Sequence, residues 1–221
     1  MKLFLNALIK FLCGILLVGA LVFLPAGTID YTGGWLFVIL LFVPVFIMGA
    51  VLLIKSPELL RKRLDGREKQ STQKAVVAFS ALIFISGFII SGLDFRYKWT
   101  NVSKTVTVIA TVLFLVSYGL YAEVMRENAY LSRKIEVQKN QKVIDTGLYG
   151  IVRHPMYMST ILMFLMIPLI LGSFIAFAVF LGYPFIIALR IKDEEKFLSE
   201  QLEGYNEYKQ KVKYRIIPLI C

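Results

Sequence analysis

Hydrophobic and polar positions fall in long blocks along this 221-residue chain, with apolar segments separated by shorter polar connections. A helix needs about 20 apolar residues to cross a ~30 Å hydrocarbon core, and nearly uncharged windows of that length indicate membrane spans. Four such segments occur, at 3–24, 34–54, 75–93 and about 106–121, the last starting near Val102. The pattern therefore predicts an all-α protein, a multi-pass transmembrane helix bundle.

A fifth apolar block, Met158–Leu189, fits neither one span nor two. Its 32 residues would extend about 48 Å as one straight helix, whereas two full spans would need about 40 residues. Pro168 and the pair Gly172-Ser173 interrupt the block near its middle. We therefore predict a C-terminal helical hairpin, with arms at 157–171 and 173–190, that crosses partly or under strain and returns both ends to the same side.

The distribution of Lys and Arg predicts which side of the membrane each connection occupies. The Lys and Arg residues number seven in segment 55–74, six in 123–156 and seven in the tail 190–221. Segment 94–104 has three of them, and 25–33 has none. Because basic connections stay in the cytoplasm, we predict that the three richest segments and both chain termini are cytoplasmic. The net charge of +10 then reflects topology and attraction to anionic lipid headgroups, and we expect no nucleic-acid partner.

The composition, with 57% hydrophobic and 18% charged residues, also favours a membrane protein. The first apolar segment is too long for a signal peptide and lacks an A-x-A-like cleavage site. Cys13 and Cys221 are too far apart to predict a disulfide, and with His154 the one histidine, no metal-ligand cluster is visible. We divide the chain into N-terminal helices, 1–122, and a C-terminal region, 123–221, within one compact unit.

Side chains suited to chemistry concentrate in two segments, 123–157 and 190–215, on either side of the predicted hairpin. The hairpin would bring His154 and the pair Glu194-Glu195 together, although they lie about 40 residues apart in the sequence. A Gly-rich dinucleotide fingerprint is not present. We therefore expect a functional site at the cytoplasmic mouth of the hairpin.

The same residues resemble a known family pattern. The pattern comprises an Arg-His-Pro-x-Tyr motif, an apolar stretch, a Glu-Glu pair, a tyrosine-containing run and a late proline. In this chain the motif is Arg153-His154-Pro155-Met156-Tyr157 and the pair is Glu194-Glu195. The run is Gly204-Tyr205-Asn206-Glu207-Tyr208, and the proline is Pro218. It is similar to the C-terminal half of the isoprenylcysteine carboxyl methyltransferase family, within a broader group of membrane phospholipid methyltransferases. The resemblance covers about residues 128–218, and Ser159 stands where the family commonly has glycine.

This resemblance implies an integral membrane methyltransferase with a cytoplasmic cofactor pocket, which uses S-adenosylmethionine and releases S-adenosylhomocysteine. The favoured acceptor is a lipid-embedded carboxylate, such as a prenylcysteine-type terminus, which is ionised at neutral pH and needs no general base. Alternatives are a phospholipid amine methyltransferase, a membrane NADPH-dependent sterol-type reductase and a non-catalytic scaffold. Partners would be membrane lipids and the lipid or prenylated substrate, in the plasma membrane of a prokaryote or the endoplasmic reticulum of a eukaryote, and the oligomeric state stays open.

The resemblance also assigns roles to individual residues. Arg190 would bind the acceptor carboxylate, since a guanidinium fork matches two oxygens, and it is the candidate catalytic residue. The candidate cofactor-binding residues are Gln138, Gln141, Lys142, Val143, Ile144, Tyr149, His154, Pro155, Met156, Tyr157 and Glu194.

Several of these residues have a structural alternative. His154 could cap the helix that Pro155 begins, and Tyr149 could belong to an interfacial aromatic belt. Arg190 could extend towards lipid headgroups or pair with Glu194 one helical turn away.

Two further groups of residues have open roles. Arg153 would anchor the chain to headgroups or contact the cofactor, and Glu195 would be structural or functional. The polar residues that follow the fourth span would line the mouth or form a solvated helix end, and they are Glu123, Arg126, Glu127 and Asn128.

Overall fold

The computed structural model describes residues 2–64, 71–131 and 137–218, without the side chains of 71–73, and the regular structure in these ranges is helical. The helices are α1 Lys2–Ala26, α2 Thr32–Lys55, α3 Pro57–Leu64, α4 Ser71–Tyr97, α5 Lys104–Glu127, α6 Pro155–Leu171, α7 Phe174–Phe180, α8 Gly182–Gln201 and α9 Tyr205–Lys211, with a 3₁₀ turn at Gly147–Gly150. Cys221 lies outside the described residues, so the absence of a disulfide to the exposed Cys13 stays a prediction.

The predicted class, a multi-pass helical membrane bundle, is confirmed. Five helices are long and apolar enough to cross a membrane, namely Lys2–Ala26, Thr32–Lys55, Lys74–Tyr97, Lys104–Glu127 and the continuous pair Phe174–Gln201. Large apolar side chains such as Leu16, Leu24 and Phe185 are exposed on the outside of the bundle, as expected for a surface in contact with lipid.

The predicted hairpin is present, but its two arms differ in length. α6 has 17 residues, about 25 Å of helix, whereas α7 and α8 together cover 28 residues, about 42 Å. The second arm is therefore long enough to cross the apolar layer and continue beyond it, while the first is short. Pro168 lies inside α6; the chain reverses at Gly172, which adopts the left-handed conformation at φ +84 that glycine tolerates best.

Polar contacts anchor the tip of the hairpin to the rest of the bundle. The buried Asp94 carboxylate accepts hydrogen bonds from the backbone N–H of Thr100 at 2.7 Å and from the Ser173 hydroxyl. The Tyr31 hydroxyl donates to the carbonyl of Leu171. Because the tip is held to α2 and α4, both arms reach the opposite end of the bundle in a defined position.

Aromatic side chains fill the centre of the bundle around α4. Phe37, Phe88, Phe114 and Phe180 are buried together. A Cβ atom at Gly87 would lie 2.3 Å from the Phe180 ring, so the glycine permits close packing of α4 against α7. We call the end of the bundle where α6 begins and α8 leaves the site end.

Candidate active site

A polar cavity opens at the site end, between the connection before α6, the exit of α8 and the C-terminal tail. It contains about 860 Å³ of empty space, part of it open to solvent. Most of the residues proposed from the sequence line it, namely Gln141, Lys142, Val143, Ile144, Tyr149, Arg153, His154, Met156, Tyr157, Arg190 and Glu194.

Tyr157 connects the two arms of the hairpin at this cavity. Its side chain is buried near the start of α6. Nε of Arg190 donates a hydrogen bond to the Tyr157 hydroxyl at 2.8 Å, and this hydroxyl donates in turn to a carboxylate oxygen of Glu194. Arg190 and Glu194, one turn apart on α8, therefore reach the same tyrosine, which bridges a cation and an anion in the cavity wall.

Glu195 turns away from Tyr157 and forms a buried ion-pair network. Its carboxylate accepts hydrogen bonds from Nε of Arg153 at 2.7 Å and from Nε of Arg215 at 3.1 Å, and it lies 3.3 Å from Nε2 of His154. Arg153 also donates to two carbonyl oxygens of the tail. Arg153 thus pairs inside the protein and is not at a headgroup surface, and Glu195 holds the tail, the motif and α8 together.

His154 occupies the N-cap position of α6, with Pro155 in the first turn, as the capping alternative requires. Its side chain makes no capping hydrogen bond; the buried ring lies 5.7 Å from the Tyr157 ring and lines the cavity. Its backbone N–H donates to the carbonyl of Arg215 at 2.8 Å. The backbone of His154 therefore fastens the tail, while its ring forms part of the cavity wall.

Tyr149 is held in the cavity wall by residues that follow the fourth span. Asn128 donates a hydrogen bond to the Tyr149 hydroxyl at 2.9 Å, and burial raises the pKa of Tyr149 to about 12, so the hydroxyl is protonated at neutral pH. The Glu127 carboxylate accepts from the backbone N–H of Leu148 at 3.0 Å. Gly147 adopts φ +54, and a Cβ there would overlap that carboxylate. Glu127 and Asn128 thus position the 3₁₀ turn.

Some residues proposed from the sequence do not line the cavity. The Gln138 side chain bonds instead to Lys62 and to a main-chain carbonyl, because α3 packs against this connection. Pro155 is buried in the first turn of α6. Glu123 and Arg126 form an exposed ion pair on α5 and do not line the cavity.

A second cavity, which we call the lateral groove, lies between α2, α4, α5, α6 and α8 and is mainly lined by apolar and aromatic side chains. Val77 lines it and is exposed, so the groove reaches the lateral surface of the bundle. Met156, Tyr157 and Arg190 line both the polar cavity and the lateral groove. The two spaces therefore adjoin at the mouth of the hairpin.

Asn128, for which the sequence left a place at the mouth open, lines the polar cavity. Other lining residues, among them Tyr205, were not assigned to the site from the sequence. Arg63 of α3 lines the lateral groove, with its Cζ atom 5.5 Å from the centre of the Tyr121 ring. The amphipathic stretch PELLRKRL could have predicted α3 as an interfacial helix, but no sequence signal assigns Arg63 to the same groove as Arg190.

The comparison with protein families agrees with this arrangement. Residues 106–200 match the model of the isoprenylcysteine carboxyl methyltransferase (ICMT) family. The matched segment runs from α5 almost to the end of α8 and contains the Arg-His-Pro motif, the hairpin and the glutamate pair, whereas α1 to α4 lie outside it. The comparison with curated proteins gave no match. Over residues 106–200 the chain is therefore similar to the isoprenylcysteine carboxyl methyltransferase family, and its five apolar helices are long enough to cross a membrane.

Proposed function

We propose that this protein transfers a methyl group from S-adenosylmethionine to the carboxylate of a lipid-embedded acceptor, such as a prenylcysteine-type terminus. The observation that carries the proposal is the junction between the two cavities, where Met156, Tyr157 and Arg190 line both. A water-soluble donor suits the polar cavity, and an apolar chain suits the lateral groove. The reacting groups would then meet at the residues that the two spaces share.

The chemistry of the cavity residues fits S-adenosylmethionine. The molecule carries an amino-acid group, a ribose and a flat adenine. Glu194 offers a carboxylate for an ammonium or for ribose hydroxyls, and Lys142 offers a cation for a carboxylate. Tyr149, Val143 and Ile144 supply aromatic and apolar surface of the kind that lines nucleoside pockets. All five line the cavity.

Arg190 is the residue that would hold the acceptor. Its guanidinium matches a carboxylate in charge and in shape, and the hydrogen bond to Tyr157 keeps it at the boundary of the two cavities. When bound, S-adenosylmethionine supplies an electrophilic methyl group on a sulfonium centre. The chain contributes alignment of the carboxylate with that centre and exclusion of water, which favours a reaction between opposite charges.

His154 does not act as a general base in this proposal. A carboxylate with an ordinary pKa near 4 is already deprotonated at neutral pH, so no proton has to be removed before transfer. The contact between the His154 ring and Glu195 supports a positioning role, in which the ring forms a fixed part of the wall beside Tyr157.

We also propose that the site end faces the cytoplasm, with both termini on that side. The last turn of α3 carries Arg61, Lys62 and Arg63, and Arg63 lines the lateral groove together with Arg190, so this basic turn lies at the site end, in agreement with the positive-inside rule. A cytoplasmic site would give the polar donor direct access from solvent, while the acceptor would arrive through the bilayer. Residues 1–122 and 123–221 would then act as one unit.

Binding and transfer measurements on the purified protein in detergent test this proposal. Isothermal titration should show binding of S-adenosylhomocysteine, and radiolabelled S-adenosylmethionine should methylate N-acetyl-S-farnesylcysteine to a product that releases methanol in base. Base-stable methylation of phosphatidylethanolamine alone would favour an amine acceptor. Binding of NADPH without binding of S-adenosylhomocysteine would refute the proposal in favour of a reductase.

A further inference from the structure

The hydroxyl of Tyr205 is an unsatisfied polar group in the wall of the polar cavity. The side chain is 4% exposed, and its oxygen is the buried side-chain atom that has no hydrogen-bond partner within the described part of the chain. The same residue lines the polar cavity. Buried hydroxyls nearly always have a partner, and each exception requires an explanation.

The neighbouring tyrosines show that this is not a general property of the wall. The Tyr208 hydroxyl donates to the carbonyl of Tyr149 at 2.8 Å, and the Tyr157 hydroxyl has two partners on α8, Arg190 and Glu194. Tyr205 lies in the same buried cluster as Tyr208. Among the described residues, the Tyr208 hydroxyl therefore has an internal partner, whereas the hydroxyl of Tyr205, a residue that lines the cavity, has none.

The turn between α8 and α9 determines the position of Tyr205. Gly204 adopts φ +81, which lets the chain reverse between α8 and α9. The N–H of Tyr205 then bonds to the carbonyl of Leu202 at 3.2 Å, and Val143 and Leu198 pack against the cluster. The turn and the packing of this cluster thus keep the side chain buried.

The hydroxyl is protonated under all ordinary conditions. Burial raises the pKa of Tyr205, and the nearby carboxylates of Glu195 and Glu194 raise it further. A protonated phenol at a cavity wall is a hydrogen-bond donor that needs an acceptor atom.

We propose that Tyr205 is a ligand-binding residue whose hydroxyl donates a hydrogen bond to an oxygen or nitrogen acceptor of the molecule held in the polar cavity. The inference rests on the proposed function, in which that molecule is S-adenosylmethionine or its product. It assigns a role to the tail, which lies beyond the segment that matches the family. The unpartnered hydroxyl lowers the stability of the empty protein and is satisfied when the ligand binds.

Two phenylalanine variants give opposite expected results. Tyr205→Phe removes a hydroxyl without an internal partner, so the thermal midpoint of the ligand-free protein should stay the same or rise. Its affinity for S-adenosylhomocysteine should fall about 3- to 10-fold, the effect of one neutral hydrogen bond. Tyr208→Phe removes an internal hydrogen bond and should lower the ligand-free midpoint. Tyr97→Phe, an exposed residue far from the site, should change neither quantity.

Titration with S-adenosylhomocysteine and with 5′-methylthioadenosine, which lacks the amino-acid group, locates the acceptor. A loss in Tyr205→Phe for both ligands assigns the acceptor to the nucleoside, and a loss for S-adenosylhomocysteine alone assigns it to the amino-acid group. Either result supports the inference. Unchanged affinity for both ligands overturns it while leaving the proposed function intact, whereas absence of binding by the unaltered protein overturns the proposed function and this inference with it.

Discussion

Removal of the Glu195 carboxylate should cost a large fraction of the protein's stability. In the Glu195→Ala variant, Arg153 stays buried and keeps two carbonyl acceptors in the tail, but it loses the carboxylate at 2.7 Å. Breaking a buried ion pair in this way costs about 3–5 kcal/mol. Because the carbonyl acceptors remain, we expect about 3 kcal/mol, and the Tm should fall by roughly 6–12 °C for a chain of this size.

The assay is thermal unfolding of the purified protein in detergent, followed by intrinsic tryptophan fluorescence. A double variant, Arg153→Met with Glu195→Leu, distinguishes the cost of an unpaired charge from the loss of packing. When both charges are replaced by apolar groups of similar size, most of the stability should return. Glu123→Ala is the matched control, since its partner Arg126 is exposed and surface pairs contribute little.

Two results would contradict this argument. A Glu195→Ala variant with the Tm of the unaltered protein would mean that the network does not hold the tail to the motif. A double variant at least as unstable as Glu195→Ala would mean that the loss comes from shape and not from the unpaired guanidinium of Arg153.

Three more substitutions test the site. Arg190→Ala should lower kcat/KM for a farnesylcysteine acceptor about 10- to 100-fold, the loss of a charge-assisted contact, with little change in affinity for S-adenosylhomocysteine. Glu194→Ala should instead lower the affinity for S-adenosylhomocysteine more than the use of the acceptor. Equal losses of affinity in the two variants would refute these roles. Tyr157→Phe should lower kcat/KM about 10-fold because Arg190 and Glu194 lose their bridge, and full activity would exclude that function. Gly147→Ala should lower the Tm by a few degrees, since left-handed backbone costs about 1–2 kcal/mol without glycine and the Glu127 carboxylate must move; an unchanged Tm in thermal unfolding would contradict this.

Much of the fold could be predicted because the bilayer restricts the alternatives. A chain that crosses hydrocarbon must satisfy its backbone hydrogen bonds internally, so an apolar segment of about 20 residues is a helix. The predicted segments accordingly agree with the long helices to within a few residues at most ends. The prediction did not include α3 and α9, since short amphipathic helices outside the membrane depend on contacts with their neighbours. It also left open how far each arm of the hairpin reaches.

The site was predictable where its residues are adjacent in the sequence or where the hairpin dictates proximity. His154, Met156 and Tyr157 follow one another, and Arg190 and Glu194 lie one turn apart beyond the hairpin; all five line the cavity. Gln138 and Pro155 were predicted on the same resemblance and do not line it. Which members of a motif face a cavity depends on backbone direction and on packing, and a motif does not contain that information.

The sequence by itself determined that the chain is a multi-pass helical membrane protein, that its basic connections are grouped on alternate loops, and that its C-terminal half carries a family motif. These properties are local, because they depend on hydropathy, charge and the order of neighbouring residues. Only the tertiary structure decided that Glu195 pairs with Arg153, that two cavities share Tyr157 and Arg190, and that Tyr205 lines one of them with a hydroxyl that has no partner among the described residues. Such relations join residues from several elements, and they arise when the helices pack and bury polar groups that must then find partners in space.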